Sequence, residues 1–101
     1  MPPVGPRPEV DCSDLRFDTT LASPDAAVVQ ALGVGDVLIL DLRQGPGGRN
    51  MIAAVTTSGQ VAGAITERTA DLLRCMQLGV GFDAEITRMN GGWIEVAVRA
   101  S

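Results

Sequence analysis

Residues 82–98 constrain this chain more than any other stretch. Two apolar alternations, Phe82-Ala84-Ile86 and Ile94-Val96-Val98, flank Asn90-Gly91-Gly92. Read as one hairpin, they must turn their apolar residues to the same side of a sheet, because facing residues share a side. A two-residue loop would set apolar against polar along the whole hairpin. A three-residue loop, Asn90-Gly91-Gly92, removes the conflict and supplies the glycine of a type I turn with a G1 bulge. The register then sets Ile86 against Val96, Thr87 against Glu95, Asp83 against Arg99 and Met89 against Trp93. Trp93, Glu95, Ala97 and Arg99 take the polar side.

Upstream, Leu15, Phe17, Thr19 and Leu21 alternate with polar residues, as in a half-buried strand. Ser23-Pro24-Asp25 reads as the cap and first turn of a short helix, Pro24 to Leu32, that stops at Gly33. Val37 to Leu42 is apolar on both faces at its start, which suits a central strand. Gln44 to Asn50 is a glycine-proline loop and Met51 to Thr57 another strand. Ser58-Gly59 is a two-residue hairpin signal, with Gln60 to Ile65 running back. Thr66 is placed to cap a helix from Glu67 to Leu78, with Thr69, Leu72, Leu73 and Met76 as its buried stripe and Cys75 on the flank.

The expected class is mainly β (α+β), in the order β-α-β-β-β-α-β-β. The arrangement is a small, partly open OB-like barrel or a bent antiparallel sheet, with an α+β sandwich second. At 101 residues the chain makes one domain. Residues 1–9 read as a proline-rich, disordered tail and residues 10–101 as the folded unit. No segment is apolar and long enough for a membrane span.

The chain has no His, Lys or Tyr. That removes the commonest general base, the Schiff-base amine and the phenol. No catalytic residue, cofactor or metal is expected. Two cysteines, Cys12 and Cys75, cannot build a tetrahedral site alone. They lie in different elements, and without a leader segment they read as free thiols of a cytoplasmic protein. Gly45-Pro46-Gly47-Gly48 lacks the following helix and the Lys-Ser/Thr of a phosphate loop, so it reads as a plain hairpin loop. The net charge of −4 opposes a nucleic-acid partner.

The apolar fraction, 46%, is high for so small a body and points to a homodimer. The candidate binding surface is Trp93, Met89, Arg88 and Arg49. Two roles compete for Trp93: a ring folded over Met89 as a cross-strand pair, or a docking platform for a partner. A protein module would need only an apolar patch. A nucleic-acid binder would need Arg16, Arg43, Arg49 and Arg88 on one face with an aromatic.

Several segments between residues 32 and 100 are similar to one family. They are Leu32-Gly33-Val34-Gly35-Asp36-Val37, Asn50-Met51-Ile52-Ala53-Ala54-Val55, Gln60-Val61-Ala62-Gly63-Ala64-Ile65, Ala70-x-Leu72-Leu73, Leu78-Gly79 and the long closing hairpin. Together they resemble a HIRAN domain. The resemblance implies an OB-like barrel and, as the alternative function, a binder of single-stranded DNA ends. Two departures bear on that function. Gly63-Ala64-Ile65-Thr66 stands where the family tends to carry Gly-Tyr-hydrophobic-Pro, so a stacking ring is missing. The family's Asn-Pro-x-Asp-x-Asn loop is reduced to Gly47-Gly48-Arg49-Asn50.

Overall fold

A computed structural model describes residues 11–101, so the tail expected over residues 1–9 lies outside the described residues. The strands are β1 (Arg16–Thr20), β2 (Val37–Gln44), β3 (Asn50–Val55), β4 (Val61–Ile65), β5 (Phe82–Asn90) and β6 (Trp93–Ala100). Helix α1 (Ala26–Val29) follows β1, and α2 (Thr69–Gln77) follows β4. This is the expected order. All six strands pair antiparallel in one sheet, β1-β6-β5-β2-β3-β4, with β2 inside it as its two-sided apolar start suggests.

The sheet bends until its edges nearly meet. Past β1 the chain leaves β6, where the Leu21 amide donates to the Ile94 carbonyl at 2.9 Å. It then reaches β4, where Ala22 and Ala64 exchange bonds of 2.8 and 2.9 Å. One bridge is not a ladder, and the sheet does not close into a barrel. A Cβ on Gly63 would lie 3.1 Å from both the Ala22 carbonyl oxygen and Leu21 Cβ, so the approach depends on a bare backbone.

The concave side holds the core. Leu15, Leu38, Ile52, Phe82, Ile86 and Val96 are fully buried there, and Val29 of α1 and Leu72 of α2 join them. Both helices therefore cover the same side of the sheet.

Both helices start later than the sequence suggests. Ser23 has φ 48°, outside the extended region that a cap residue adopts, and Asp25 takes the role. Its carboxylate accepts from the Ala27 and Val28 amides at 3.0 and 3.3 Å. The tertiary cause is the pairing of residues 22–25 along β4, including Asp25 N–H to the Ala62 carbonyl at 2.9 Å. For α2, Thr66 does not cap. Arg68 occupies the cap position in the left-handed region at φ 53° without a side-chain cap bond. Glu67 lies outside the helix because its carboxylate accepts from the Thr19 hydroxyl on β1. Arg68 bonds Asp71 at 2.9 Å and lies 5.6 Å from the Phe17 ring centroid.

The two cysteines are not free. Cys12 and Cys75 form a disulfide, with an S–S distance of 2.07 Å. Cys75 faces the core, fully buried, rather than the flank of α2. Cys12 sits in a 3-10 turn, Cys12–Asp14, just before β1, and the sheet's bend brings that turn beneath α2. Elements 63 residues apart are thus stapled, a contact that local pattern cannot reveal. The free-thiol ground for a cytoplasmic setting falls with it. Asp11 caps this turn. The Ser13 hydroxyl, and then the Ser13 amide, hold its carboxyl below the usual carboxylate range.

The hairpin loops correct another expectation. Asp83 pairs with Arg99 and Ile86 with Val96, as the alternation requires. The loop, however, has two residues, Gly91 and Gly92, between the paired Asn90 and Trp93. Gly91 alone has positive φ, 63°, the pattern of a type II′ turn. The odd residue is Thr87, a bulge between Ile86 and Arg88. Its hydroxyl donates to the Glu95 carbonyl at 3.3 Å. Arg88 therefore faces Glu95, and Met89 faces Ile94. The three-residue loop occurs instead between β3 and β4. There Thr57-Ser58-Gly59 is closed by the Thr56 amide on the Gln60 carbonyl at 2.8 Å, with Gly59 at φ 90°.

Candidate functional site

Trp93 begins β6 on the convex side of the sheet and is 55% exposed. It occupies the side opposite Ile94, Val96 and Val98, as alternation dictates. Its indole Nε1–H donates to Glu95 Oε2 at 2.8 Å, and Arg88 Nη1 approaches the same oxygen at 4.0 Å. One carboxylate thus ties the ring and the guanidinium to neighbouring positions of the hairpin. The ring is oriented at its polar edge while much of its surface meets water.

The other two expected members do not join it. Met89, opposite Ile94, falls on the concave side and packs against the core. The Thr87 bulge is the cause, since it shifts every later residue of β5 by one position. Met89 instead helps line an apolar groove of about 320 Å³ with Pro24, Val29 and Leu32 at the end of α1. Arg49 is exposed in the loop joining β2 to β3. That loop follows the far end of β2, whereas Trp93 lies beyond β2's start, which pairs Val37 with Glu85. At roughly 3.3 Å per residue the two are on the order of 30 Å apart.

The alternation sets Val37 and Ile39 opposite Leu38, Leu40 and Leu42, as one of two faces a second copy could cover, but apart from the Trp93 surface. Val37 and Ile39 lie on the same convex side as Trp93, 38% and 48% exposed, while Leu38 and Leu40, which alternate with them, are buried. The signal was the apolar run itself. A central strand predicts cover on both faces, yet both helices sit on the concave side, so β2's convex face stays open among the described residues.

The arginines are largely matched by acids. Arg43 bonds Asp41 at 3.0 Å and Arg99 meets Glu85 at 3.2 Å. Arg16, Arg43 and Arg88 do share the convex side, but Arg43 and Arg88 each face a carboxylate, and Arg16 sits across from Arg99. Among the described residues, no three His, Cys, Asp or Glu side chains converge as a cation site. None of their helices is long and apolar enough to cross a membrane.

No family model matches the chain, and no curated protein or solved structure matches it. The HIRAN resemblance therefore rests on the quoted residues alone.

Proposed function

We propose that this domain is a non-catalytic binding module that docks a protein partner on the convex side of its sheet and also self-associates as a homodimer. The observation that carries the reading is the shared exposure of Trp93, Val37 and Ile39 on the one side no helix covers. Antiparallel sheets commonly leave one side to water, but then the alternation runs apolar-in, polar-out. Val37 and Ile39 break that rule at the centre of the sheet. Trp93 lies on the same side, four residues along β6 from Ala97, which is level with Val37, and a large aromatic is the usual anchor of a protein contact.

The setting that suits the Cys12–Cys75 bridge is an oxidising compartment rather than the cytoplasm, since thiols stay reduced in the cytosol.

The test uses Trp93 itself. Its emission in the isolated subunit should be red-shifted and quenched by iodide. Trp93→Ala should leave the circular dichroism spectrum intact and weaken partner binding by about 2 kcal/mol or more. A blue-shifted, unquenched spectrum would refute the docking role.

The second reading, a binder of single-stranded DNA ends, draws on Arg16 lying across from Arg99 on the Trp93 side. The carboxylates beside the other guanidiniums weigh against it, because phosphate binding needs unneutralised charge. Anisotropy titration with single-stranded and duplex oligonucleotides at low salt separates the two. Saturable binding that weakens steeply with salt favours the second.

A further inference from the structure

The convex face is not the only unfinished surface. Strand β2 pairs with β3 from Ile39 to Gln44, but with β5 only from Val37 to Ile39. Beyond Ile39 the β2–β3 hairpin runs on as an arm whose β5 side has no paired strand among the described residues. Alternate residues of Asp41–Gln44 point backbone N–H and C=O groups toward that open edge. Leu42 marks the same place. It belongs to the core-facing series with Leu38 and Leu40, which are 1% and 5% exposed, yet it is 38% exposed.

An open edge is normally blunted with charge. The charges here have the opposite consequence. Asp41 and Arg43 sit two residues apart on one face, with Leu42 between them on the other. If the strand meets its own copy antiparallel about Leu42, each residue faces the one whose number sums with it to about 84, as antiparallel register requires. Asp41 then faces the second copy's Arg43, on both sides of the two-fold axis. The two Leu42 side chains face each other on the opposite side. The sequence Asp-Leu-Arg is self-complementary in this register, which is what an isologous two-fold contact needs. The existing Arg43–Asp41 bond, 3.0 Å within one strand, would become part of a four-charge cluster.

We propose that two copies of this chain join along the free edge of β2, pairing Asp41–Arg43 antiparallel into one continuous sheet across the two-fold axis. The inference rests on the self-association part of the reading above and leaves the Trp93 surface free for a different partner. Backbone bonds of the added strand supply the affinity, and the side chains on its two faces supply the register.

Analytical ultracentrifugation of the full chain at tens of micromolar tests it. The parent protein should be dimeric. Asp41→Arg and Arg43→Asp each set two like-charge pairs across the axis, and each should raise the dimer dissociation constant by about tenfold or more. The double swap, D41R with R43D, restores opposite charges and should restore the dimer. An equimolar mixture of the two single variants should form heterodimers. Circular dichroism establishes that each variant is folded, and the double swap keeps the test decisive if one single variant is not. A monomeric parent, or a double swap that stays monomeric, overturns the proposal. So does a dimer that ignores both single swaps. If Trp93→Ala breaks that dimer, the contact lies on the convex face, and the docking-module reading survives without the edge.

Discussion

The two halves of the sheet are finished differently. Across β1, β6 and β5 the convex side is charged, with Glu85 beside Arg99 and Arg88 beside Glu95. Beneath this half the Cys12–Cys75 bridge ties the start of β1 to α2. Along β2 the same side is apolar at Val37 and Ile39, and beyond Ile39 the strand has a neighbour on one side only. Covalent closure and charges matched across neighbouring strands occur in the first half. Along β2 the matched pair, Asp41 and Arg43, lies within one strand, beside the free edge where Leu42 is exposed. The difference teaches that Leu42 is uncovered where β2 lacks a neighbouring strand, whereas Val37, Ile39 and Trp93 are uncovered because both helices lie on the other side of the sheet.

Removing the staple should have the largest effect. Cys12→Ala with Cys75→Ala frees a loop spanning 63 residues, and the chain-entropy account puts the loss at about 4 kcal/mol. Urea unfolding would measure it. Hydrogen exchange should show β1 and the Cys12 turn losing protection first, with the β2–β3 pairing least affected. Uniform loss across both halves would break the comparison.

Gly63→Ala should cost about 1–3 kcal/mol, the range for overpacking a tight contact. The new Cβ meets the Ala22 carbonyl and Leu21 Cβ at 3.1 Å, and both are held, by Ala64 and by Ile94. Thermal denaturation reads this directly. A neutral result would mean that the two sheet edges are not in close contact.

Deleting Thr87 should cost little, within about 1 kcal/mol, because it converts the bulged ladder into a regular one whose facing pairs are retained. Ile86–Val96, Arg88–Glu95 and Met89–Ile94 all keep their partners and sides. Trp93 should remain open to iodide. Loss of that accessibility would show that the bulge, not the alternation, places the ring.

The smallest effect concerns Asp11. Its carboxyl is held below the ordinary range by the Ser13 hydroxyl and amide. A depressed folded value contributes stability above the unfolded pKa, and that stability is lost as pH falls through the folded one. Asp11→Asn should therefore cost a little stability at neutral pH, and the difference from the parent should disappear as the pH falls below the usual carboxylate range, taking a small acid-limb slope with it.

Much of the fold was legible because alternation is a local property. Leu15, Phe17, Thr19 and Leu21 turn inward, as do Phe82, Ala84 and Ile86, and the element order follows from where glycine and polar turns interrupt the runs. Trp93 on the open side was legible for the same reason. Met89 was not. The alternation requires one odd residue between Ile86 and Ile94, and a loop residue or a bulge satisfies it equally. The structure puts that residue at Thr87, which sends Met89 to the other side. The helix starts were displaced for a comparable reason. Residues 22–25 are drawn into pairing with β4, and Glu67 is drawn to Thr19, so tertiary bonds override the local cap signals.

By itself the sequence determined the core-facing side of β1, of β6 and of β5 as far as Ile86, because side-chain direction has a period of two whatever the neighbours are. It determined the element order for the same reason. Only the tertiary structure decided which strands lie together beyond the local hairpins β2–β3, β3–β4 and β5–β6, that Cys12 meets Cys75, and that both helices lie on the concave side. Those facts depend on how the sheet bends and on contacts between residues far apart in the chain, and no local pattern carries that distance. The exposure of Val37, Ile39 and Leu42 belongs with them: an apolar residue is written in the sequence, but whether anything covers it is settled by where the rest of the chain comes to lie.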